Sequence, residues 1–160
     1  MGFRVDTGLA VPMDDGAVLR ADLWEPEGAP PGPVILWRTP YLREEALPCG
    51  FLDPRTALAR GYRIAVQDVR GMGGSDGTFE AFTHEGADGA RTIDWIAGQP
   101  WCDGNVVMAG YSYVGIVQWL AAARRPAALR AIAPAISSDR PDAGWTYTDG
   151  VVEHALVASW

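Results

Sequence analysis

The first chemical candidate is a serine set among glycines, in the segment Gly110-Tyr111-Ser112-Tyr113-Val114-Gly115. An apolar run at residues 105–109 precedes this segment and predicts a buried strand, and a helical pattern at residues 114–124 follows it. A serine between a buried strand and a helix, with glycine two residues before it, is typical of a nucleophile elbow. Such a turn holds the serine hydroxyl at the edge of a sheet, where N–H groups of the helix can stabilise a developing oxyanion. Ser112 is therefore the candidate nucleophile.

Steric constraints explain why this segment contains two glycines. The backbone at the nucleophile is strained, and a side chain two residues before it would collide with the turning chain, so Gly110 is needed. Gly115 allows the helix to pack tightly against its neighbouring strand. The commoner pattern has glycine two residues after the serine, where this chain has Val114. A tight strand-to-helix turn without chemistry is the alternative interpretation of the motif alone.

A second glycine-rich segment, residues 68–77, also follows a predicted strand. A loop of this kind could hold a phosphate, as in dinucleotide-binding folds. However, residues 78–82 do not predict a helix start, and no Gly-Lys-Ser/Thr sequence is present. We interpret the segment as a rigid turn braced by Asp68 and Arg70.

Apolar periodicity predicts an alternation of strands and helices along the chain. Asp15-Gly16 lies between two apolar runs and predicts a hairpin, because glycine supplies the positive φ of a tight turn. The order after this hairpin is strand, helix, strand, helix, strand, helix, strand, which predicts an α/β fold with a parallel sheet covered on both faces. No strand is expected after residue 137. The strands are predicted at residues 33–37, 62–67, 105–109 and 128–133, and the helices at residues 55–60, 86–97 and 114–124.

The composition limits the classes of function. Thirteen Lys and Arg residues against twenty Asp and Glu residues give a net charge of −7. This charge disfavours binding to nucleic acid, because contacts with phosphate need clustered basic side chains. No apolar stretch approaches the roughly 20 residues of a membrane helix, and no secretory signal is visible, so a cytoplasmic protein without membrane contact is expected. Cys49 and Cys102 are expected to be free thiols. We expect neither a metal nor a cofactor.

Three motifs together resemble those of a known family. They are the segment at residues 68–77, the segment Trp101-Cys102-Asp103-Gly104-Asn105-Val106 and the segment around Ser112, in this order and at these spacings. From about Met13 to Trp160 the chain resembles the CocE/NonD hydrolases, which are Xaa-Pro dipeptidyl-peptidase-like α/β-hydrolases. The resemblance implies a three-layer α/β-hydrolase fold with a mostly parallel sheet, incomplete here, over residues 1–136. Residues 137–160 would be the beginning of a helical cap domain.

The resemblance also implies roles for individual residues. In the family, a serine attacks an ester or amide carbonyl after activation by a histidine that an aspartate orients, and Ser112 matches this nucleophile. The oxyanion hole would combine the backbone N–H of Tyr113 with the hydroxyl of Tyr41, which follows a buried strand and can therefore reach the same sheet edge. Trp145 and Trp160 match cap positions that line the acyl pocket. Packing is the alternative interpretation for Tyr41 and for both tryptophans.

The acid and the base of such a reaction are not evident in this chain. In the family they follow the nucleophile in the order Ser, Asp, His. His84 precedes Ser112 and is expected at the surface or at a helix start, whereas His154 matches the beginning of the cap rather than the base. Residues 1–160 are therefore expected to be a piece of a longer esterase, inactive and poorly soluble alone. Three aspartates are interpreted as turn residues: Asp139, Asp142 and Asp149.

Hydrolysis of a small-molecule carboxylic ester through an acyl-serine intermediate is the leading functional interpretation. An Xaa-Pro dipeptidyl-peptidase or an α-amino-acid ester hydrolase is an alternative, but it needs a carboxylate to hold a substrate ammonium group, and Val114 supplies none. A non-catalytic fragment or pseudoenzyme is the third interpretation. The sequence does not identify the substrate, and a homodimer of the full-length protein is left open.

Overall fold

The computed structural model describes residues 2–45, 52–140, 143 and 145–159. Strands alternate with helices from residue 32 to residue 135. In chain order the elements are β1 (Phe3–Pro12), β2 (Val18–Pro26), β3 (Gly32–Thr39), α1 (Pro54–Ala59), β4 (Arg63–Asp68), α2 (Glu85–Ala97), β5 (Cys102–Tyr111), α3 (Tyr113–Ala123), β6 (Leu129–Ala135), β7 (Tyr147–Thr148), β8 (Val151–Val152) and α4 (His154–Ser159).

Six strands form one sheet in the order β1-β2-β4-β3-β5-β6. The hairpin of β1 and β2 is antiparallel, and β2 pairs antiparallel with β4. The strands β4, β3, β5 and β6 are parallel to one another. The predicted hairpin and the predicted parallel sheet are thus confirmed. Since parallel strands end at the same edge of the sheet, the chain that leaves β3, β4 and β5 converges at one edge.

The parallel strands are apolar on both faces because helices cover both. Val34 and Leu36 of β3 face the core that α2 and α3 complete. Ile35 and Trp37 of the same strand face the opposite core, which α1 covers. The result is the expected three-layer arrangement. The helix residues in the two cores include Ile93, Ile96, Val117 and Ala121 on one side and Ala57 and Leu58 on the other.

The glycine-rich segment at residues 68–77 is the braced turn that the sequence predicted. The Arg70 guanidinium donates two hydrogen bonds, of 2.9 and 2.7 Å, to the carboxylate of Asp88 in α2. It also pairs at 2.9 Å with Asp15 in the turn between β1 and β2. The carboxylate of Asp68, which is fully buried, accepts a hydrogen bond from the N–H of Gly74.

One prediction was wrong: strands do follow residue 137. β7 and β8 pair antiparallel as a short hairpin. Asp149 and Gly150 connect them with φ values of 51° and 80°, and two positive φ values are what a two-residue type I′ turn requires. The Asp-Gly pair was the sequence signal for this hairpin. The expected turn role of Asp149 is confirmed.

Other expectations concern the chain as a whole. Among the described residues, no helix is long and apolar enough to cross a membrane. Within the same residues, no group of three or more His, Cys, Asp and Glu side chains could hold a metal ion. The division of the chain at residue 136 is not tested by the structure and stays a prediction.

Candidate active site

Ser112 lies at the junction of β5 and α3, as predicted for a nucleophile elbow. Its φ of 56° and ψ of −128° lie in a region that residues other than glycine rarely adopt. Its carbonyl accepts hydrogen bonds from the N–H groups of Gly115 (2.9 Å) and Ile116 (3.0 Å), which begin the helix. Ser112 is partly exposed, whereas Tyr113 and Val114 after it are buried. The strained turn therefore turns the serine outward while the helix behind it enters the core.

The two glycines of the motif are required by close contacts. Gly110 has a φ of 143°, and a Cβ there would lie 2.2 Å from Cγ1 of Val114. A Cβ on Gly115 would lie 2.6 Å from the Cβ of Ser137 and 3.1 Å from the Ala135 carbonyl oxygen. Gly110 thus makes room for the helix of the elbow, and Gly115 makes room for the chain that leaves β6.

The buried side chain of Gln118 connects the three elements behind the serine. Its amide nitrogen donates to the carbonyls of Gly110 (3.2 Å) and Val114 (2.9 Å). Its amide oxygen accepts a hydrogen bond from the N–H of Ala133 in β6 at 3.0 Å. Because one side chain joins β5, α3 and β6, the elbow has little freedom to relax its strain.

The Tyr113 side chain is buried in the core between α3 and the chain at the start of α2. Its hydroxyl donates to Oε1 of Glu85 at 2.7 Å and accepts a 3.3 Å hydrogen bond from the N–H of Phe82. Its ring stacks on Phe82 with 4.7 Å between centroids. Burial, together with the negative charge of Glu85, raises the pKa of the Tyr113 hydroxyl far above its usual value. The side chain is therefore a fixed anchor, and the backbone N–H of Tyr113 is the group placed at the helix N-terminus beside Ser112.

The anchor of Tyr113 is itself held by a buried ion pair. Nη1 of Arg38, which is fully buried in β3, lies 2.7 Å from Oε2 of Glu85. Arg38 also donates to the Glu85 carbonyl (3.0 Å) and to the side-chain oxygen of Gln67 (2.7 Å) in β4. A buried carboxylate needs this pairing, since an isolated charge would be costly away from water. Sequence reasoning did not identify this pair, because the two residues are far apart in the chain.

Tyr41 follows β3 and lies at the same edge of the sheet as Ser112, since β3 and β5 are parallel neighbours. Its side chain is 46% exposed, and its N–H donates to Oγ1 of Thr39 at 3.0 Å. The position is the one that the sequence predicted. Its role as the second oxyanion donor stays a prediction.

A cavity of about 230 Å³ opens beside the serine. Ser112, Tyr113 and Trp145 lie in its wall, so the structure brings together three of the predicted site residues. Trp160 lies outside the described residues, and Tyr41 lies outside the lining of this cavity. Five further lining residues were not predicted from the sequence: Ala81, Phe82, Thr146, Leu156 and Val157.

Phe82 is an unpredicted wall residue with a positive φ. Its φ is 66°, and it packs against Tyr113. Leu156 and Val157 come from α4, an exposed six-residue helix whose short pattern carries no clear helical periodicity in the sequence. Such contacts depend on tertiary packing and leave no local sequence signal.

Neither histidine lies in the wall of this cavity. His84 precedes α2 and lies 3.8 Å from Glu80 at the surface, without a side-chain hydrogen bond that caps the helix. His84 is thus at the surface and at the start of α2, as expected, although its side chain does not cap the helix. His154 begins α4 and is exposed.

Asp142 and Cys49 lie outside the described residues, and Cys102 is a buried free thiol whose pKa is raised by burial.

A strained serine between a parallel strand and a helix, on a sheet with helices on both faces, defines an α/β-hydrolase. The family described as X-Pro dipeptidyl-peptidase (S15 family) matches residues 15–160. The chain belongs to this family, and the resemblance found in its motifs is confirmed.

Individual relatives agree with this assignment. The cocaine esterase of Rhodococcus sp. (strain MB1 Bresler) is 36% identical over 161 residues, which cover 99% of this chain and 28% of that protein. A crystal structure of a CocE/NonD family hydrolase from Staphylococcus aureus superposes with a TM-score of 0.78 at 23% identity, over 82% of this chain and 27% of that chain. The structure of an α-amino acid ester hydrolase gives a TM-score of 0.69 at 28% identity, over 81% and 24%. The chain thus spans between 24% and 28% of the length of these relatives.

Proposed function

We propose that the protein hydrolyses carboxylic esters through an acyl-serine intermediate, with Ser112 as the nucleophile. The observation that carries this proposal is the strained elbow that presents Ser112 to an apolar cavity at the N-terminus of α3. A helix N-terminus favours the negative charge that develops on the carbonyl oxygen during attack. The relationship to cocaine esterase supports an ester as the substrate.

The reaction would proceed in two halves. Oγ of Ser112 attacks the ester carbonyl carbon, and its proton passes to a general base as the C–O π bond opens to an oxyanion. The N–H of Tyr113 and the hydroxyl of Tyr41 would donate hydrogen bonds to this oxyanion. The tetrahedral intermediate then collapses, and the alcohol leaves with the proton from the base. Water attacks the acyl-serine in the second half, which releases the acid and restores the serine.

The general base and the acid that orients it are proposed to lie outside residues 1–160. The reason is geometric, because neither histidine lines the cavity that Ser112 faces. His154 lies on the helix that also supplies Leu156 and Val157, yet it is exposed and absent from the wall. A histidine supplied by another part of the whole protein fits the order Ser, Asp, His of this fold.

A peptidase or an α-amino-acid ester hydrolase is the second candidate, since the family and one structural relative carry these names. Recognition of a substrate ammonium group needs a carboxylate that faces the substrate. The described residues that line the cavity include no Asp or Glu. An uncharged acyl group therefore suits this part of the site better.

Covalent labelling tests the proposal. A fluorophosphonate added to the whole protein should form a stoichiometric adduct that mass spectrometry of peptides places on Ser112, and Ser112→Ala should not be labelled. A burst of one p-nitrophenolate per protein from p-nitrophenyl acetate, followed by slower turnover, should accompany it. A serine that reacts with neither reagent would favour the non-catalytic interpretation, and labelling elsewhere would overturn the assignment of Ser112.

Further expectations about partners, location and assembly accompany this proposal. A small-molecule ester is the proposed partner, and neither nucleic acid nor a membrane is proposed. The cytoplasmic location and a homodimer of the full-length protein remain predictions.

A further inference from the structure

The glycine-rich segment at residues 68–77 is a sequence motif that the reaction itself does not use. It begins with Asp68, the last residue of β4, whose side chain is fully buried at the edge of the sheet where Ser112 lies. A buried carboxylate needs a charged or hydrogen-bonding partner. The partner of Asp68 therefore indicates what the motif does.

Arg43 is that partner, and it holds Asp68 with both its backbone and its side chain. The N–H of Arg43 donates to Oδ1 of Asp68 at 2.7 Å, and Nη1 of its guanidinium pairs with Oδ2. Nε of the same guanidinium donates to Oδ1 of Asp22 in β2 at 2.9 Å. Arg43 therefore spans two buried carboxylates on two neighbouring strands, and its side chain is only 14% exposed. Arginine is suited to this arrangement because its donors form a rigid fork.

The motif keeps the Asp68 carboxylate in place for this contact. A Cβ on Gly73 would lie 2.1 Å from Oδ2 of Asp68, so only glycine leaves room for the carboxylate. The hydroxyl of Ser75 donates to the Asp68 carbonyl at 2.9 Å and accepts a hydrogen bond of the same length from the N–H of Arg20. Gly73 and Ser75 thus both help to hold Asp68, whose carboxylate pairs with Arg43.

Arg43 is separated from Tyr41 by a single residue. That residue, Leu42, has a φ of 68°, a conformation that a leucine adopts only when its neighbours hold it. On the other side of Tyr41, the Thr39 carbonyl accepts a 3.0 Å hydrogen bond from the N–H of Val69, which is also in the motif. The chain is therefore fixed to the segment that follows β4 both before and after Tyr41.

We infer that Arg43, held by Asp68 and Asp22, is a positioning residue for the Tyr41 hydroxyl. Arg43 does not touch the substrate in this arrangement. It holds the strained turn at Leu42, so that the half-exposed Tyr41 side chain keeps one orientation at the edge of the sheet. The inference deepens the proposed function, because it rests on Tyr41 being an oxyanion donor.

A double-mutant cycle on the whole protein tests this inference. The variants are Arg43→Lys, Tyr41→Phe and the two together, with kcat and KM measured for p-nitrophenyl acetate and the active fraction counted with a fluorophosphonate. Lysine keeps the charge near Asp68 but loses the fork, so the expected fall in kcat is about 10-fold or more with KM changed less than about 2-fold. In the Tyr41→Phe background, the same substitution should lower kcat by less than about 2-fold, since the hydroxyl that it positions is gone.

A matched control comes from the other end of β4. Arg63 is also buried, and its guanidinium donates to the backbone carbonyls of Gly61 (3.3 Å) and Ala29 (3.4 Å), far along the strand from Asp68. Arg63→Lys should lower the melting temperature while kcat per active site stays within about 2-fold in both backgrounds. This control separates a loss of stability from a loss of positioning.

Each outcome decides the inference. Equal effects of Arg43→Lys with and without the Tyr41 hydroxyl would overturn it and leave Arg43 as a structural ion pair. An unchanged kcat in Tyr41→Phe would overturn it as well, while an inactive Ser112→Ala would leave the serine-hydrolase proposal standing. An active Ser112→Ala would instead reject the proposed function itself.

Discussion

The N–H of Ser112 donates a 3.0 Å hydrogen bond to the carbonyl oxygen of Ala135, at the end of the neighbouring strand β6. The serine is thus held from both sides, by α3 through its carbonyl and by β6 through its N–H. Gln118 adds a connection between the same two elements. Strain in a backbone persists only where surrounding structure over-determines it, and this hydrogen bond is part of that surrounding structure.

The strain at Ser112 predicts a stability difference between two inactive variants. Ser112→Gly and Ser112→Ala both remove the hydroxyl, but glycine adopts positive φ values without the steric cost that alanine keeps. We expect Ser112→Gly to be more stable than Ser112→Ala by about 1 kcal/mol, after the greater freedom of the unfolded glycine chain is included. Urea unfolding of both variants measures the difference. An alanine variant as stable as the glycine variant would show that the turn is unstrained.

Gly115 supplies a second prediction about the elbow. Gly115→Ala places a methyl group 2.6 Å from Ser137 and 3.1 Å from the Ala135 carbonyl, so α3 has to move away from β6. Overpacking of this kind costs about 1–3 kcal/mol, and the displaced elbow should lose most of its reactivity with a fluorophosphonate. Gly98→Ala is the control, because its φ is −83° and a Cβ there meets nothing closer than 3.6 Å. Similar losses in the two variants would contradict the steric role of Gly115.

Tyr41 carries the third prediction. Tyr41→Phe removes one donor of the proposed oxyanion hole and keeps the ring, so kcat should fall by about 10²–10³-fold with little change in KM. The selective effect on kcat follows because the hydrogen bond strengthens only as the oxyanion forms. Steady-state kinetics of the whole protein with p-nitrophenyl acetate measures it. If kcat stays within about 2-fold of the unaltered protein, Tyr41 returns to a packing role.

The elbow and the sheet could be predicted from the sequence because their signals are local. An apolar strand, a glycine, a serine and a helical pattern follow one another at residues 105–124, and strain at Ser112 is the consequence of that order. The roles of Arg43 and Glu85 could not be predicted in this way. Their partners are distant in the chain, and only the parallel arrangement of β3 and β4 brings Arg43 to Asp68.

The hairpin of β7 and β8 shows a different limit. Its signal, Asp149-Gly150, is present in the sequence, but each strand has only two residues, too few for a period-2 pattern to be recognised. The Asp-Gly pair was therefore the one local signal of this hairpin, since the flanking strands gave no pattern. The cavity wall at Phe82 left no local signal, because the Tyr113 hydroxyl to which its N–H donates lies 31 residues away in the chain.

The open edge of the sheet leads to a fourth prediction. Among the described strands, β6 pairs with β5 on one side and is the last strand of the sheet. An unpaired edge can pair with the edge of another molecule, so residues 1–160 expressed alone should self-associate. Analytical ultracentrifugation measures this. A monodisperse monomer with steady turnover of p-nitrophenyl acetate would contradict the expectation and would make His154 a candidate base.

The buried hydroxyl of Tyr113 leads to the last prediction, which concerns stability in alkali. Burial and Glu85 raise its pKa above the value near 10 of an unfolded tyrosine. Below about pH 10 the hydroxyl is protonated in both states, and its hydrogen bond to the Glu85 carboxylate contributes about 1.5–3 kcal/mol. Above that pH the unfolded chain loses the proton while the folded protein keeps it. The stability contribution of Tyr113 therefore falls by about 1.4 kcal/mol for each pH unit.

Tyr113→Phe removes both effects together. The variant should be less stable than the unaltered protein at pH 7 to 9, and the difference should shrink as the pH rises above about 10. Urea unfolding at pH 8 and pH 11 measures the two differences. Tyr62→Phe, in the chain before β4 at the opposite edge of the sheet, controls for the removal of a tyrosine hydroxyl as such. The stability difference between Tyr113→Phe and the unaltered protein could instead stay constant through pH 11. The Tyr113 hydroxyl would then ionise as readily in the folded protein as in the unfolded chain. That result would contradict the anchoring of the elbow through Glu85.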